Sequence, residues 1–484
     1  MIFNSISFLV FFAVVFSLYH FVLKEKTKWQ NSLLLIASYV FYAWANWKIL
    51  PLLGATTAVF YFLGIAISEA KTEKHGQLYT TLGILFGVGV LLYFKYANFF
   101  ISSFKDLFEG LGLQTNLHTF KILVPVGISF YTFRLLSYII DINQGKFEPT
   151  RDIVSFATYV AFFPCILAGP IDRPATLIPQ LQSKRTFDYS LAVDGMKQIL
   201  WGLFKKVVIA DNCATYVNQV FGSDIQTQTG STLLLSAIFF LFQLYADFSG
   251  YSDMAIGTSK LLGFRVTKNF DYPFFAQNIA EFWRKWHISL TSWLTDYIFM
   301  PLNFTWRNWG KWGMILAIII NFVICGLWHG DNWTFVLFGF YHGLLFIPLI
   351  LSGAIFKKNE IETYKWDFPK PKVLFNIFLT FCLVTLGSII FRADSIGQAF
   401  EYIGGMIELN TIRTIWRFFK QPVAWWIITM LVIEWLQRNK QHGLEAFGFG
   451  WNKCLRYVFY LVLALIVVLY NLNGEPSEFI YFQF

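Results

Sequence analysis

Seven histidines in 484 residues are few enough to weigh one at a time. His329 stands in Asn321-Phe-Val-Ile-Cys-Gly-Leu-Trp-His-Gly-Asp-Asn-Trp333, at the end of an apolar run and between Gly326 and Gly330. Glycine lets backbone or ligand come close. If the run lies in a bilayer, a polar group there is costly and usually faces a cavity or a partner, so function is its default reading. The alternative is an imidazole satisfied by a neighbouring carbonyl. The chemistry on offer is proton abstraction from a hydroxyl near neutral pH. His287 stands in Glu281-Phe-Trp-Arg-Lys-Trp-His287. On a helix Trp283 and His287 share a face, as do Glu281 and Arg284, which makes either a site wall or an interfacial helix with a Glu–Arg pair. His342, in a Tyr-His-Gly setting, reads as packing. His20 near the end of an apolar run, and His75, His118 and His442 in polar loop contexts, read as surface or capping groups.

Other polar groups cluster. Asp247-Phe-Ser-Gly-Tyr-Ser-Asp253 sets two carboxylates and two hydroxyls around Gly250, while Lys205, Lys206 and Asp211 interrupt another apolar run. No His/Cys/carboxylate spacing supports a metal site, so none is expected. Cys165, Cys213, Cys325, Cys382 and Cys454 are scattered, mostly within apolar runs, and an odd count argues against a disulfide framework. They read as small buried hydrophobes. A Gly-x-Ser-x-Gly elbow and a phosphate-binding loop are both missing from the sequence.

The elements that must position these groups follow from composition. The chain is 56% hydrophobic, 20% aromatic and only 14% charged, against about 25% charged in a soluble globular chain. Its apolar runs are continuous rather than alternating, and each is roughly the 20 residues that a helix needs to cross a bilayer. Lipid-embedded backbone must satisfy its own hydrogen bonds. The fold class is therefore all-α, a polytopic integral membrane protein. The net charge of +9 fits basic loops facing anionic headgroups, and no nucleic-acid partner is expected.

The run Ile2–Leu23 reads as a retained first span, because no basic region or cleavage site accompanies it. Lys24, Lys26 and Lys28 place the following loop in the cytoplasm. Spans near Asn31–Leu50 and Leu53–Ile67 return the chain to Lys71, Lys74 and His75 on the same side. Further spans are expected near 78–95, 121–140, 153–170, 193–210, 231–248, 313–328, 333–352, 373–391, 423–437 and 455–471. Together they make about 11–13 transmembrane or re-entrant helices. The stretch Gly263–Lys311 interleaves Arg265, Arg284 and Arg307 with Trp283, Trp286, Trp293, Trp306 and Trp309, and reads as interfacial helices dipping into the protein rather than a clean span. Without a repeat or a linker, residues 1–484 are taken as one domain, with a motif-bearing core to 350 and C-terminal helices from 351.

At these motifs the chain resembles the membrane-bound O-acyltransferase family, in its bacterial branch typified by the alginate O-acetylation protein. The matching stretches are Val124-Pro-Val-Gly-Ile-Ser-Phe-Tyr-Thr-Phe133, Phe162-Phe-Pro-Cys-Ile-Leu-Ala-Gly-Pro-Ile171 and Gly202-Leu-Phe-Lys-Lys-Val-Val-Ile-Ala-Asp-Asn212. Asp247-Phe-Ser-Gly-Tyr-Ser-Asp-Met-Ala-Ile-Gly257, Glu281-Phe-Trp-Arg-Lys-Trp-His-Ile-Ser-Leu290 and Gly326-Leu-Trp-His-Gly330 complete the set. The resemblance implies helices around a central funnel, His329 as the catalytic residue, and His287 facing the same passage from the cytoplasmic side. Trp283, Arg284 and Trp328 then line the donor's path, with Arg284 set to attract the phosphates of coenzyme A. The tail Phe479-Ile-Tyr-Phe-Gln-Phe484 resembles that of the small membrane subunit that works beside the teichoic-acid D-alanylation acyltransferase. That implies Tyr481 as an acyl carrier; otherwise it is an aromatic belt residue.

The expected function is O-acylation, most simply O-acetylation, of a cell-surface polysaccharide, with acetyl-CoA as donor substrate and no bound cofactor. Expected partners are an extracytoplasmic esterase-like O-acetyltransferase, the glycan and membrane lipids, in the bacterial cytoplasmic membrane. D-alanyl transfer to teichoic acid is the sibling reading. A polytopic glycan or lipid transporter is the reading from another class, although inverted repeats are not evident.

Overall fold

The computed structural model describes residues 1–484 except 45, 116–117, 358–362, 364–367, 407–410, 475–476 and 481–484, and describes no side chains at 411–415 and 473. Among the described residues the regular structure is helical, with one isolated bridge between Thr363 and Pro369. Seven helices there are long and apolar enough to cross a membrane: Trp47–Ser68, Glu73–Gly110, Gly230–Leu261, Lys311–His329, Trp333–Leu351, Pro371–Arg392 and Lys453–Leu472. Ile6–Val22 and Pro422–Leu436 are shorter and equally apolar. Several of these ends lie within a few residues of the expected spans, but Trp47–Ser68 starts earlier than expected and the Gly230–Leu261 and Glu73–Gly110 helices run well beyond. The expected spans 31–50 and 121–140 are instead the helices Thr27–Ala43 and Ile128–Asn143.

Other apolar runs take a different shape. The run 153–170 is helical only over Ile153–Ala161. Pro164 and the Gly169-Pro170 pair then deny it the helical hydrogen bonds, and the chain turns through a wholly buried segment. Residues 193–210 begin in the helix Tyr189–Leu203 and finish in a π-helical turn, Phe204–Ala210. The stretch 263–311 holds short helices, and its Trp283, Trp286 and Trp293 are buried in the protein. Trp309 alone of its five tryptophans is largely exposed, at 58%.

The chain divides into two compact units, Met1–Met196 with Ala255–Thr267, and Lys197–Met254 with Lys268–Phe484. In the first, Arg134 is 1% exposed and donates to the carbonyls of Tyr159 at 3.1 Å and Pro170 at 2.8 Å, tying down the buried turn that the 153–170 run becomes. Arg185 does the same for the Pro174–Gln182 helix, through Leu181 O at 2.8 Å and Asn31 Oδ1 at 2.6 Å. Buried guanidinium groups need such carbonyl and amide acceptors.

The second unit contains every candidate site residue among the described residues. Its organising feature is the helical hairpin Lys311–His329 and Trp333–Leu344. A Cβ on Gly326 would lie 2.0 Å from the Phe335 carbonyl oxygen, and one on Gly339 would lie 2.1 Å from that of Phe322. The two backbones meet directly, and only glycine permits it. Asn332 caps the second helix, its side chain accepting from Thr334 N at 3.0 Å.

Candidate active site

His329 is the last residue of its helix and is 5% exposed. Aromatic rings surround it: centroids lie 4.8 Å away at Trp328, 5.1 Å at Phe391 and 5.9 Å at Phe338. It lines a narrow cavity of about 20 Å³ with Trp283, Trp286, Phe338, His342 and Phe391. A cavity of that size has room for about one water-sized molecule.

His342 lies on the wall of this same cavity, where the sequence reading had it as packing. The Trp283 indole N–H donates to His342 Nδ1 at 3.2 Å. An indole nitrogen only donates, so Nδ1 is the acceptor and the hydrogen of the neutral ring sits on Nε2. A Cβ on Gly387 would come within 2.6 Å of that Nε2, so the opposite helix leaves space for it. The sequence signal that could have found His342 is its distance of thirteen residues from His329 across a tight hairpin, which brings the two onto facing helices.

Trp283 belongs to the helix Ile279–Lys285, capped by the Asn278 side chain accepting from Glu281 N at 2.9 Å. His287 is not on that helix. The chain breaks at Trp286, His287 takes a left-handed conformation at φ 45°, and a new helix starts at Ile288. Asn269 enforces the break: its carbonyl accepts from Ile288 N at 2.8 Å, and its Oδ1 from Ser289 Oγ at 2.7 Å. The shared helical face expected for Trp283 and His287 is therefore corrected. Trp283 lines the His329 cavity, whereas His287 is not among its lining residues and stands in a strained turn of the kind that gathers at functional sites. The expected Glu281–Arg284 pair is likewise replaced by Glu281–Lys285 at 2.9 Å, the i,i+4 spacing whose geometry suits a long ammonium arm. Arg284 is exposed.

His287 is 1% exposed, and its ring lies 5.5 Å from Trp328 and 4.6 Å from Phe248. These short helices lie outside the apolar spans. Burial pushes the His287 imidazole down to about 3, so it is neutral at pH 7. Trp328 stands between the two histidines.

Asp247 and Asp253 are held by lysines, with Lys206 Nζ 2.8 Å from Asp247 and Lys205 Nζ 2.6 Å from Asp253. Gln198 donates to Asp253 as well, at 2.7 Å. The C-terminal segment reaches this place, the Ile480 N–H donating to Asp247 Oδ2 at 2.7 Å. Phe479 packs on Tyr251 at 4.7 Å and on Phe248 at 6.1 Å between centroids. A continuous run of rings thus links the tail to the hairpin: Phe479, Phe248, His287, Trp328, His329. Tyr481 lies outside the described residues.

Among the remaining histidines, His20 bonds the Leu261 carbonyl at 2.9 Å, and His442 Nδ1 accepts from Leu444 N at 3.3 Å. His442 does cap a turn, but is buried rather than on the surface.

Residues 150–391 match the family model described as MBOAT, membrane-bound O-acyltransferase family. The chain is 33% identical to a probable alginate O-acetylase of Pseudomonas putida over the whole of both chains. It is 29% identical to a peptidoglycan O-acetyltransferase of Helicobacter pylori, covering 100% of this chain and 98% of that one. A teichoic acid D-alanyltransferase of Streptococcus thermophilus is 31% identical over 55% of this chain and 68% of its own.

Proposed function

The chain belongs to the membrane-bound O-acyltransferase family, and from that premise we propose that it relays an acetyl group from acetyl-CoA, through Tyr481, toward a cell-surface polysaccharide. It is a multi-pass membrane O-acyltransferase, which answers the transporter reading. The proposed location is the bacterial cytoplasmic membrane, and the proposed acceptor system is the glycan together with an extracytoplasmic O-acetyltransferase.

The observation that carries the relay is the tail itself. Residues 479 and 480 are buried against Asp247 and Phe248, one ring away from His287. A donor in the cytoplasm and a glycan outside are separated by about 30 Å of hydrocarbon. A covalent carrier divides that transfer into two steps and protects the acyl group from water.

In the first step His329 takes the proton of the Tyr481 phenol while the oxygen attacks the thioester carbonyl. The C–S bond breaks and coenzyme A leaves as thiolate. A phenol has a pKa of about 10, so it needs that base, whose help is worth roughly 10²–10⁴-fold. In the second step a hydroxyl of the acceptor attacks the aryl ester and the phenolate leaves, regaining its proton. Trp283, Trp328 and Arg284 are proposed to guide the donor, and His287 to border its path. Acetyl is favoured over D-alanyl because the two relatives matching over nearly their whole length are acetylating enzymes by name, while the D-alanyl transferase aligns over half of this chain.

The test is acetyl labelling of the tail. Wild-type protein given acetyl-CoA and quenched in acid should carry one acetyl group on the Tyr481 peptide by mass spectrometry. Tyr481→Phe should carry none and lose glycan acetylation at normal membrane levels. Normal glycan acetylation by that variant ends the carrier reading.

A further inference from the structure

The Gly202–Asn212 and Asp247–Gly257 segments hold buried charges that acyl transfer, as described above, does not use. Lys206 is 5% exposed, Asp247 2% and Asp211 8%. Lys206 Nζ lies 2.8 Å from Asp247 Oδ1 and 2.9 Å from Asp211 Oδ1. It also donates to the Ser477 carbonyl at 3.0 Å and reaches the Ser477 hydroxyl at 3.3 Å. The Ser477 hydroxyl donates in turn to Asp211 Oδ1, and the Ile480 N–H to Asp247 Oδ2 at 2.7 Å. We propose that Lys206, Asp211 and Asp247 form a clamp that positions the C-terminal segment, fixing the two ends of Ser477–Ile480 so that the carrier Tyr481 starts one peptide unit from an immobile anchor.

An ammonium has three donors. Two carboxylates and Ser477 are the acceptors that fill them here, so the tail completes the shell of a buried lysine. One lysine faces two carboxylates, a formal excess of one negative charge in a buried setting, and the tail answers it with neutral donors, the Ser477 hydroxyl to Asp211 and the Ile480 N–H to Asp247. Without the tail both aspartates lose a donor; a buried charge that lacks hydrogen-bond partners is strongly unfavourable, and this holds the tail in place. The π-helical turn Phe204–Ala210 gives Lys206 this reach; such turns recur at functional sites. Close helix approach does the rest, since a Cβ on Gly202 would lie 2.6 Å from the Gly250 carbonyl oxygen. Between the two anchored positions, Phe479 seats on Tyr251 and Phe248. A carrier that must meet a thioester in a narrow site gains rate from being held in one place, as any positioned reactant does.

The inference rests on the carrier reading, and the measurements separate the two. Ile480→Pro removes the N–H that Asp247 accepts together with the buried Ile480 side chain, and Ser477→Ala removes one hydroxyl; both leave the buried ion pairs intact, so folding is spared. Lys206→Met removes the ammonium at similar length. Hydrogen–deuterium exchange on the full-length protein in nanodiscs reads tail anchoring without reference to chemistry. The C-terminal peptide should exchange at least tenfold faster in Ile480→Pro and Lys206→Met, while peptides from 311–344 stay unchanged. Acetyl labelling of Tyr481 should fall at least tenfold in kcat with KM for acetyl-CoA unchanged, a split that general loosening of the fold would not produce. A tail that stays protected in both variants overturns the clamp. A freed tail with wild-type labelling overturns its positioning role. Full glycan acetylation by Tyr481→Phe defeats the carrier reading and the clamp's part in catalysis, while the exchange result still reports whether the tail is held.

Discussion

The rings of Trp328, Phe338 and Phe391 pack around His329. Such an apolar wall strengthens any charge that develops inside it. His329→Ala should lower glycan acetylation by at least 100-fold with protein level and membrane insertion unchanged, as the loss of a general base requires. Quantitative acetyl release from isolated glycan, alongside immunoblotting of membranes, checks this.

His342 adds a second polar group to the same wall. Its Nε2–H tautomer is set by the Trp283 indole, so Trp283→Phe should reduce the rate several-fold while keeping the ring packing against Phe322 at 5.0 Å. A rate equal to wild type would make that hydrogen bond structural only. His287 offers a test on stability. Its pKa is depressed in the folded protein to about 3, against about 6.5 unfolded. The unfolded chain therefore binds more protons between those values. Its contribution is full above pH 6.5 and is lost progressively as pH falls from there toward 3, by at most about 1.4 kcal/mol per pH unit. Thermal melts of His287→Gln should show a shallower loss between pH 6.5 and 5 than wild type. Parallel curves would contradict the burial argument.

At the scale of elements, the hairpin is the part least able to tolerate change. In Gly326→Ala the new methyl must meet the Phe335 carbonyl at 2.0 Å, and neither backbone can yield without separating the helices. The expected cost is about 1–3 kcal/mol or more, seen as a lowered melting temperature in detergent together with lost acetyl transfer, because His329 and His342 sit on opposite arms. A wild-type melting temperature would contradict the packing. The Asn269 junction is the second vulnerable element. It starts the Ile288–Leu294 helix from outside and holds His287 in its strained turn, so Asn269→Ala should damage both together.

At the scale of the whole molecule, a chain rich in apolar helices must still carry charge where it needs it. The second unit does so by matching lysines to carboxylates: Lys205 with Asp253, Lys206 with Asp247 and Asp211. Glu434 joins them, accepting from the Tyr245 hydroxyl at 2.8 Å. Sidedness is the property of the intact protein that the relay requires. In sealed vesicles of one orientation, acetyl-CoA should label the tail when supplied on the face carrying Lys24, Lys71 and Lys74, and fail when supplied only on the other. Equal labelling from both faces would contradict a relay across the membrane.

By itself the sequence determined the fold class and the place of several long apolar helices, and it singled out the histidine of the Trp-His-Gly stretch, which lines a cavity. Each of these depends on local properties: run length, hydropathy, and glycines beside a polar residue. Continuous apolar runs can satisfy their backbone only as helices, which is why several expected spans reappear within a few residues. Where local rules gave way, a distant residue had intervened. The 153–170 run became a buried turn pinned by Arg134. The helix expected through His287 was cut by Asn269. The cavity role of His342, the lysine–aspartate pairs and the return of the tail to Asp247 were decided by tertiary structure alone. Each joins groups tens to hundreds of residues apart, as with Asp247 and Ile480 at a separation of 233, and periodicity carries no information about which distant carboxylate a buried lysine will meet.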